Sequence, residues 1–194
     1  HPGSPLLALE LFASKSEFAK RATTLFIESD DERYQLLKES VESFCLQHPG
    51  IRPPFVRHGS FADNVAFVFE QVKSLAPTFL FVDPCGISGV SFDTIRRVLA
   101  QGKAEAFIFF NVDAVRRVAG LEEMSETLVS LFGSSERVSA LLAKTATMSA
   151  GERELAIIES YRQAFVDDAG ARFVAAFRVE KEDSRATSHR SEEH

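Results

Sequence analysis

The sequence predicts an α/β domain built around a largely parallel sheet with helices on both faces. Two observations carry that reading. Short apolar runs alternate along the chain with longer segments whose apolar residues recur at helical spacing. The strongest runs, "TFLFV" and "AFIFF", are continuously apolar, as in parallel strands covered on both faces. With 194 residues, 45% of them hydrophobic, the chain is long enough for one domain with a sizeable core. Eighteen Phe, two Tyr and no Trp predict a core filled by phenylalanine.

The elements follow in order. Residues 5 to 20 read as a helix with Leu6, Leu9, Phe12 and Ala13 on one face. "TTLFIESD" (23–30) is a short strand ending in acids. An amphipathic helix follows, with Tyr34, Leu37, Val41 and Phe44 in phase, closed by Pro49-Gly50. "RPPFVRHGS" is a weaker strand, since its two prolines confine it to an edge. "NVAFVFEQVKSLAP" is helical, "TFLFVDP" is the clearest strand, and "SFDTIRRVLAQG" is a helix with Ile95, Val98 and Leu99 inward. "EAFIFFNVD" (105–113) is another strand, residues 112 to 168 hold three or four helical stretches, and "ARFVAAFRVE" is a late strand. The polar tail from Lys181 is expected to be disordered.

Composition narrows the function classes. No apolar run approaches the roughly 20 residues of a membrane span. The N-terminus lacks the basic segment of a signal peptide. Cys45 and Cys85 are far apart and form neither a metal-ligand pair nor a disulfide framework, so a cytoplasmic setting is expected. The net charge of -6 provides no global field for nucleic acid.

The residues that could carry chemistry sit at strand ends, where open α/β sheets bind ligands. In "FLFVDPCGISGVSF" (79–92) the strand stops at Asp83-Pro84, Gly86 and Gly89 loosen the backbone, and Ser91 is placed to cap the next helix. Glu28 ends an earlier strand. It is placed either to accept ribose hydroxyls or, with Ser29 and Asp30, to satisfy the free N–H groups of the following helix. Ser60-Phe61 sits at the next strand end, as an adenine-flanking pair or as a turn followed by a core phenylalanine. His58 has no sequence neighbours that make it a site. Asp83-Pro84-Cys85-Gly86 is similar to the Asp-Pro-Pro-Tyr segment of amino-methylating methyltransferases, in which an Asp side chain and a proline carbonyl accept from the target amine. Gly86 replaces the aromatic ring that would stack on a flipped base. Cys85 has no nearby histidine to activate it and reads as a packing residue. Arg96-Arg97 and Arg116-Arg117 could grip phosphate or carboxylates, or form solvated helix faces. No metal-ligand motif is present.

The segments "GSPLLALEL" (3–11), "LFIESDDER" (25–33), "FLFVDPCGISGVSFDTIRRVL" (79–99) and "AFIFFNVDAVRRV" (106–118) together resemble the three-Cys-motif partner protein family, TcmP. The resemblance covers most of residues 3 to 180. It implies a Rossmann-like, S-adenosylmethionine methyltransferase-like domain over residues 1–180, with a helical insertion over about 112–168. It also implies a separate three-cysteine, radical-SAM-like protein as partner. By the same resemblance, Gly3, Ser4, Glu28, Ser60, Phe61, Asp83 and Gly86 would contact S-adenosylmethionine, and Asp83 and Pro84 would face the methyl acceptor. The glycine-rich strand end that precedes Gly3 in such proteins has no counterpart in the sequence, nor does a final hairpin strand after Val179. The expectation is therefore a sheet with its first strand missing between those carrying Glu28 and Asp83. A non-catalytic interaction module that keeps the fold without the cofactor is the alternative. Duplex-DNA binding by the chain alone is not expected.

Overall fold

The computed structural model describes residues 3–84 and 86–179, so Cys85 and the tail from Lys181 lie outside the described residues. The elements run α1 (Ser4–Ala13), α2 (Ser16–Arg21), β1 (Leu25–Glu28), α3 (Asp31–Gln47), β2 (Phe55–His58), α4 (Phe61–Gln71), β3 (Thr78–Val82), α5 (Phe92–Leu99), β4 (Ala104–Ile108) and α6 (Val112–Val118). A short 3₁₀ turn (Glu122–Met124) then leads to α7 (Ser125–Phe132), α8 (Ser135–Thr145) and α9 (Ala150–Asp167).

Six of these helices start on a side chain suited to capping. Asp30, Ser60, Ser91, Asn111, Ser134 and Ser149 each accept a hydrogen bond from the backbone N–H three residues on. Each bond satisfies a donor that the first helical turn leaves without an internal partner. The helix expected over 5–20 is instead two. The Ser14 hydroxyl donates to the Leu11 carbonyl, 2.8 Å away, and the chain turns before Lys15.

The strands form two parallel pairs rather than one sheet. β1 pairs with β2 in the register Leu25–Phe55 to Glu28–His58, and β3 pairs with β4 from Thr78–Ala104 to Val82–Ile108. No ladder joins β1 to β3. The single five-stranded sheet expected from sequence is therefore not formed. The break falls between the strands that carry Glu28 and Asp83, where no strand among the described residues supplies the bonds that would join the pairs.

Helices cover both faces of the first pair. Phe26 and Val56 pack with Leu9 of α1 and Val41 of α3. On the other face Arg57 lies over the ring of Phe67 in α4, 3.8 Å from its centroid, and its Nε donates to Asn64 Oδ1. The second pair turns Leu80 and Ile108 toward the main core and leaves Phe79 and Phe81, 67% and 49% exposed, on the opposite face. That main core joins α5 to α9. Phe132, Ile95, Ile157 and Val115 are its largest fully buried side chains, and the Phe110 ring stacks on Tyr161 with centroids 4.2 Å apart.

Residues 112–168 are helical as expected, but the late strand does not form. Residues 173–179 form neither a helix nor a paired strand. Ala171 and Val174 are drawn into the helical core, and Arg178 pairs with Glu154 of α9. These contacts hold the segment to the helices, and the Phe177 ring lies 5.6 Å from that of Phe107 in β4.

Candidate functional site

The candidate residues gather at the carboxyl ends of the strands in two groups. At the β1–β2 end, Glu28 Oε1 accepts from the N–H groups of Ser29 (2.8 Å) and Asp30 (3.0 Å), and Asp30 caps α3. The carboxylate thus steadies the turn its own strand leads into. Glu28 pairs in register with His58, and its carbonyl accepts from Gly59 N–H at 3.0 Å. His58 Nε2 lies 3.1 Å from the Ser29 carbonyl and 3.2 Å from Asp31 Oδ1. Both neighbours are acceptors, so Nε2 carries the proton and ties the end of β2 to the start of α3. The Tyr34 ring tilts against His58 at 5.2 Å.

Ser60 is fully used by its helix. Its hydroxyl donates to Asp63 Oδ2 (2.6 Å) and accepts from Asp63 N–H (3.1 Å). Phe61 packs against the main core. The structure also identifies Asn64, which sequence patterning does not single out. It is 2% exposed, donates to the Ser60 carbonyl at 2.9 Å and accepts from Arg57. A buried amide with this many partners fixes the β2–α4 turn. Its only sequence signal is an amide where the helix otherwise turns apolar residues inward.

At the β3–β4 end, Asp83 is exposed and makes no ion pair among the described residues. Gly86 (φ 99°) and Gly89 (φ 88°) turn the loop in a conformation that favours glycine. Beside the loop is a notch of about 10 Å³, lined by Pro84, Gly86, Ile87, Asn111 and Tyr161 among others. A space of that size holds about one water. Burial pushes the Tyr161 phenol well above its ordinary pKa. The larger open cleft, about 240 Å³, lies away from this rim, at the amino end of β2. It is bounded by Lys38, Glu42, Cys45, Pro53 and Pro54. Burial also raises the Cys45 thiol pKa.

Glu28 and Ser60 are brought together by the β1–β2 pair, and Asp83, Pro84 and Gly86 by the β3 end. Among the described residues no hydrogen bond or ion pair joins the two groups. Gly3 and Ser4 open α1, with the Gly3 carbonyl accepting from Leu6 and Leu7. Of the four arginines that could contact phosphate, Arg96 pairs with Asp93 and Arg116 with Asp113, while Arg97 lies over the Phe69 ring. No three His, Cys, Asp or Glu side chains among the described residues are grouped to hold a metal, and no described helix is long and apolar enough to cross a membrane.

No protein-family model, curated protein or solved structure matches the chain.

Proposed function

We propose that the chain is a divergent, Rossmann-like S-adenosylmethionine-dependent methyltransferase-like protein that acts in the cytoplasm with a separate three-cysteine partner. One observation supports this reading: β1 and β3 each pair in parallel with the strand that follows them, and their carboxyl ends run into Glu28 and Asp83. Ligands of open α/β folds sit outside the carboxyl ends of the strands. Glu28, Ser60, Asp83 and Gly86 stand at or just beyond those ends. In this reading Glu28 accepts from the ribose hydroxyls through its second carboxylate oxygen. Gly3, Ser4, Ser60 and Phe61 line the cofactor, and Asp83 with the Pro84 carbonyl receives the amine to be methylated. S-adenosylmethionine would supply the electrophilic methyl group. The exposed Asp83 carboxylate would orient the acceptor's N–H and offset positive charge as the amine is alkylated.

Calorimetric titration with S-adenosylmethionine tests the reading. Binding near the millimolar range, about 4 kcal/mol, is expected of a rim whose two halves share no direct hydrogen bond. Glu28→Ala should abolish it, and heat of binding unchanged by Glu28→Ala and Asp83→Ala would overturn the assignment.

A second reading is favoured by a different observation. The notch beside Pro84 is about 10 Å³, and Phe79 and Phe81 stand open on a strand pair with free edges. A module that binds protein through that sheet, without cofactor, would show no heat with S-adenosylmethionine at any concentration.

A further inference from the structure

The outer face of the β3–β4 pair is apolar and open. Side chains alternate along a strand, and the register pairs Phe79 with Glu105 and Phe81 with Phe107, so these four share one face. Leu80 and Ile108 take the other face and join the main core. The Phe81 and Phe107 rings stack at 5.5 Å, and the Phe177 ring lies 5.6 Å from Phe107. Parallel strands are ordinarily covered on both faces, as the β1–β2 pair is. Phe79, Phe81 and Phe177 are exposed instead. The sequence beyond Val179 contains no Leu, Ile, Val or Phe that could cover them.

Charge is placed at opposite ends of this face. Lys103 stands exposed at the amino end, where its carbonyl accepts from Thr78 N–H, and Asp83 stands exposed at the carboxyl end. By the register Lys103 is level with Pro77, so Asp83 lies roughly 20 Å further along the strands. Neither side chain forms an ion pair among the described residues. Two such faces packed about a two-fold axis that crosses the strands run antiparallel. Lys103 of each copy then lies level with Asp83 of the other, and Phe79 with Phe81, while Glu105 stays at the open edge of the pair in contact with water. A two-fold along the strands would instead set Lys103 beside Lys103 and Asp83 beside Asp83. Charge therefore selects the antiparallel arrangement.

We infer that the chain forms a symmetric dimer through this face, a second copy covering Phe79, Phe81 and Phe107 and pairing its Asp83 with Lys103. The inference rests on the protein-binding reading of the face and names its partner. Asp83 also belongs to the proposed acceptor site, and the two roles are separated by Lys103, which belongs to the dimer alone. Packed sheets stand about 10 Å apart, within reach of a lysine and an aspartate at their ends. The exposed rings present roughly 400 Å² per copy, about half of what each partner gives a standard interface, so association depends on concentration. The contact uses the same patch on both copies and closes at two.

Sedimentation velocity of the full chain over a concentration series tests this. A monomer–dimer equilibrium is expected. Phe81→Glu should weaken it by about tenfold or more. Lys103→Asp and Asp83→Lys should each weaken it several-fold, because either variant alone sets like charges together at both ends of the face. Mixing these two variants in equal amounts should restore the dimer, since opposite charges then meet at both ends. A monomer at all concentrations would overturn the inference and leave the face to a different protein. So would a mixture no more associated than its two components. A dimer that Phe81→Glu leaves intact would also overturn it, placing the contact elsewhere, such as at the exposed Leu7, Leu11 and Phe18 of α1 and α2.

Discussion

Gly133 ends α7 in a left-handed conformation (φ 87°) against the ring of Phe92: a β-carbon on Gly133 would stand 2.5 Å from Phe92 Cδ1. Phe92 is itself buried, at the first turn of α5 and 5.1 Å from the Phe165 ring. The helix that follows the Asp83–Gly89 loop is thereby keyed to the helical insertion.

Gly133→Ala combines a disfavoured backbone with a steric overlap in a packed core. It should lower stability by about 2–4 kcal/mol, read as a lower midpoint in urea or thermal unfolding. An unchanged midpoint would mean that α5 and α7 are not packed in this way.

Ser149 and Glu152 form a reciprocal capping box at the start of α9. Ser149→Ala should cost about 1 kcal/mol of stability. The hydrogen bonds from the Ser149 side chain and backbone hold the Glu152 carboxyl below its usual pKa. A lowered folded-state pKa stabilises above the unfolded value, and that contribution is lost as the pH falls through the folded value. Carboxyl-resolved NMR titration should show Glu152 ionising at lower pH than it does in Ser149→Ala.

Tyr161 is sensitive to the other end of the pH scale. Burial raises its phenol pKa in the folded state, so it contributes fully below the unfolded value near 10 and loses stability as the pH rises beyond it. Thermal melts above pH 10 should therefore fall less steeply for Tyr161→Phe than for the parent chain. Parallel slopes would place the hydroxyl in water.

Much of the architecture is legible in the sequence because it is fixed locally. Helix starts are written as Asp30 and Ser91 ahead of apolar periodicity, and "TFLFV" is a strand by composition alone. Pairing is not local. Whether β1 bonds to β3 depends on what lies between them, and "ARFVAAFRVE" has strand composition but is held to the helices by Val174 and the Arg178–Glu154 pair. The strand-end positions of Glu28 and Asp83 follow from where apolar runs stop. The occupation of Ser60 by Asp63, and the partners of Asn64, depend on how the β2–α4 turn closes.

Glu28 and Asp30 separate cleanly by substitution. Asp30→Ala removes the α3 cap and should cost about 1 kcal/mol. Glu28→Gln keeps an oxygen for the Ser29 and Asp30 N–H groups and should leave the unfolding midpoint nearly unchanged, while weakening any bound ribose. A larger stability loss for Glu28→Gln than for Asp30→Ala would make Glu28 a structural carboxylate only.

Whether the strand-end rim on either side of the β1–β3 break is a cofactor site is tested most directly by amide-resolved NMR titration with S-adenosylmethionine. Shifts are expected at Glu28, Ser29, Gly59, Ser60, Asp83 and Gly86, with Lys38 and Glu42 in the cleft at the amino end of β2 unmoved. Shifts confined to that cleft, or none at concentrations of several millimolar, about the weakest binding worth roughly 4 kcal/mol, would contradict the proposed site.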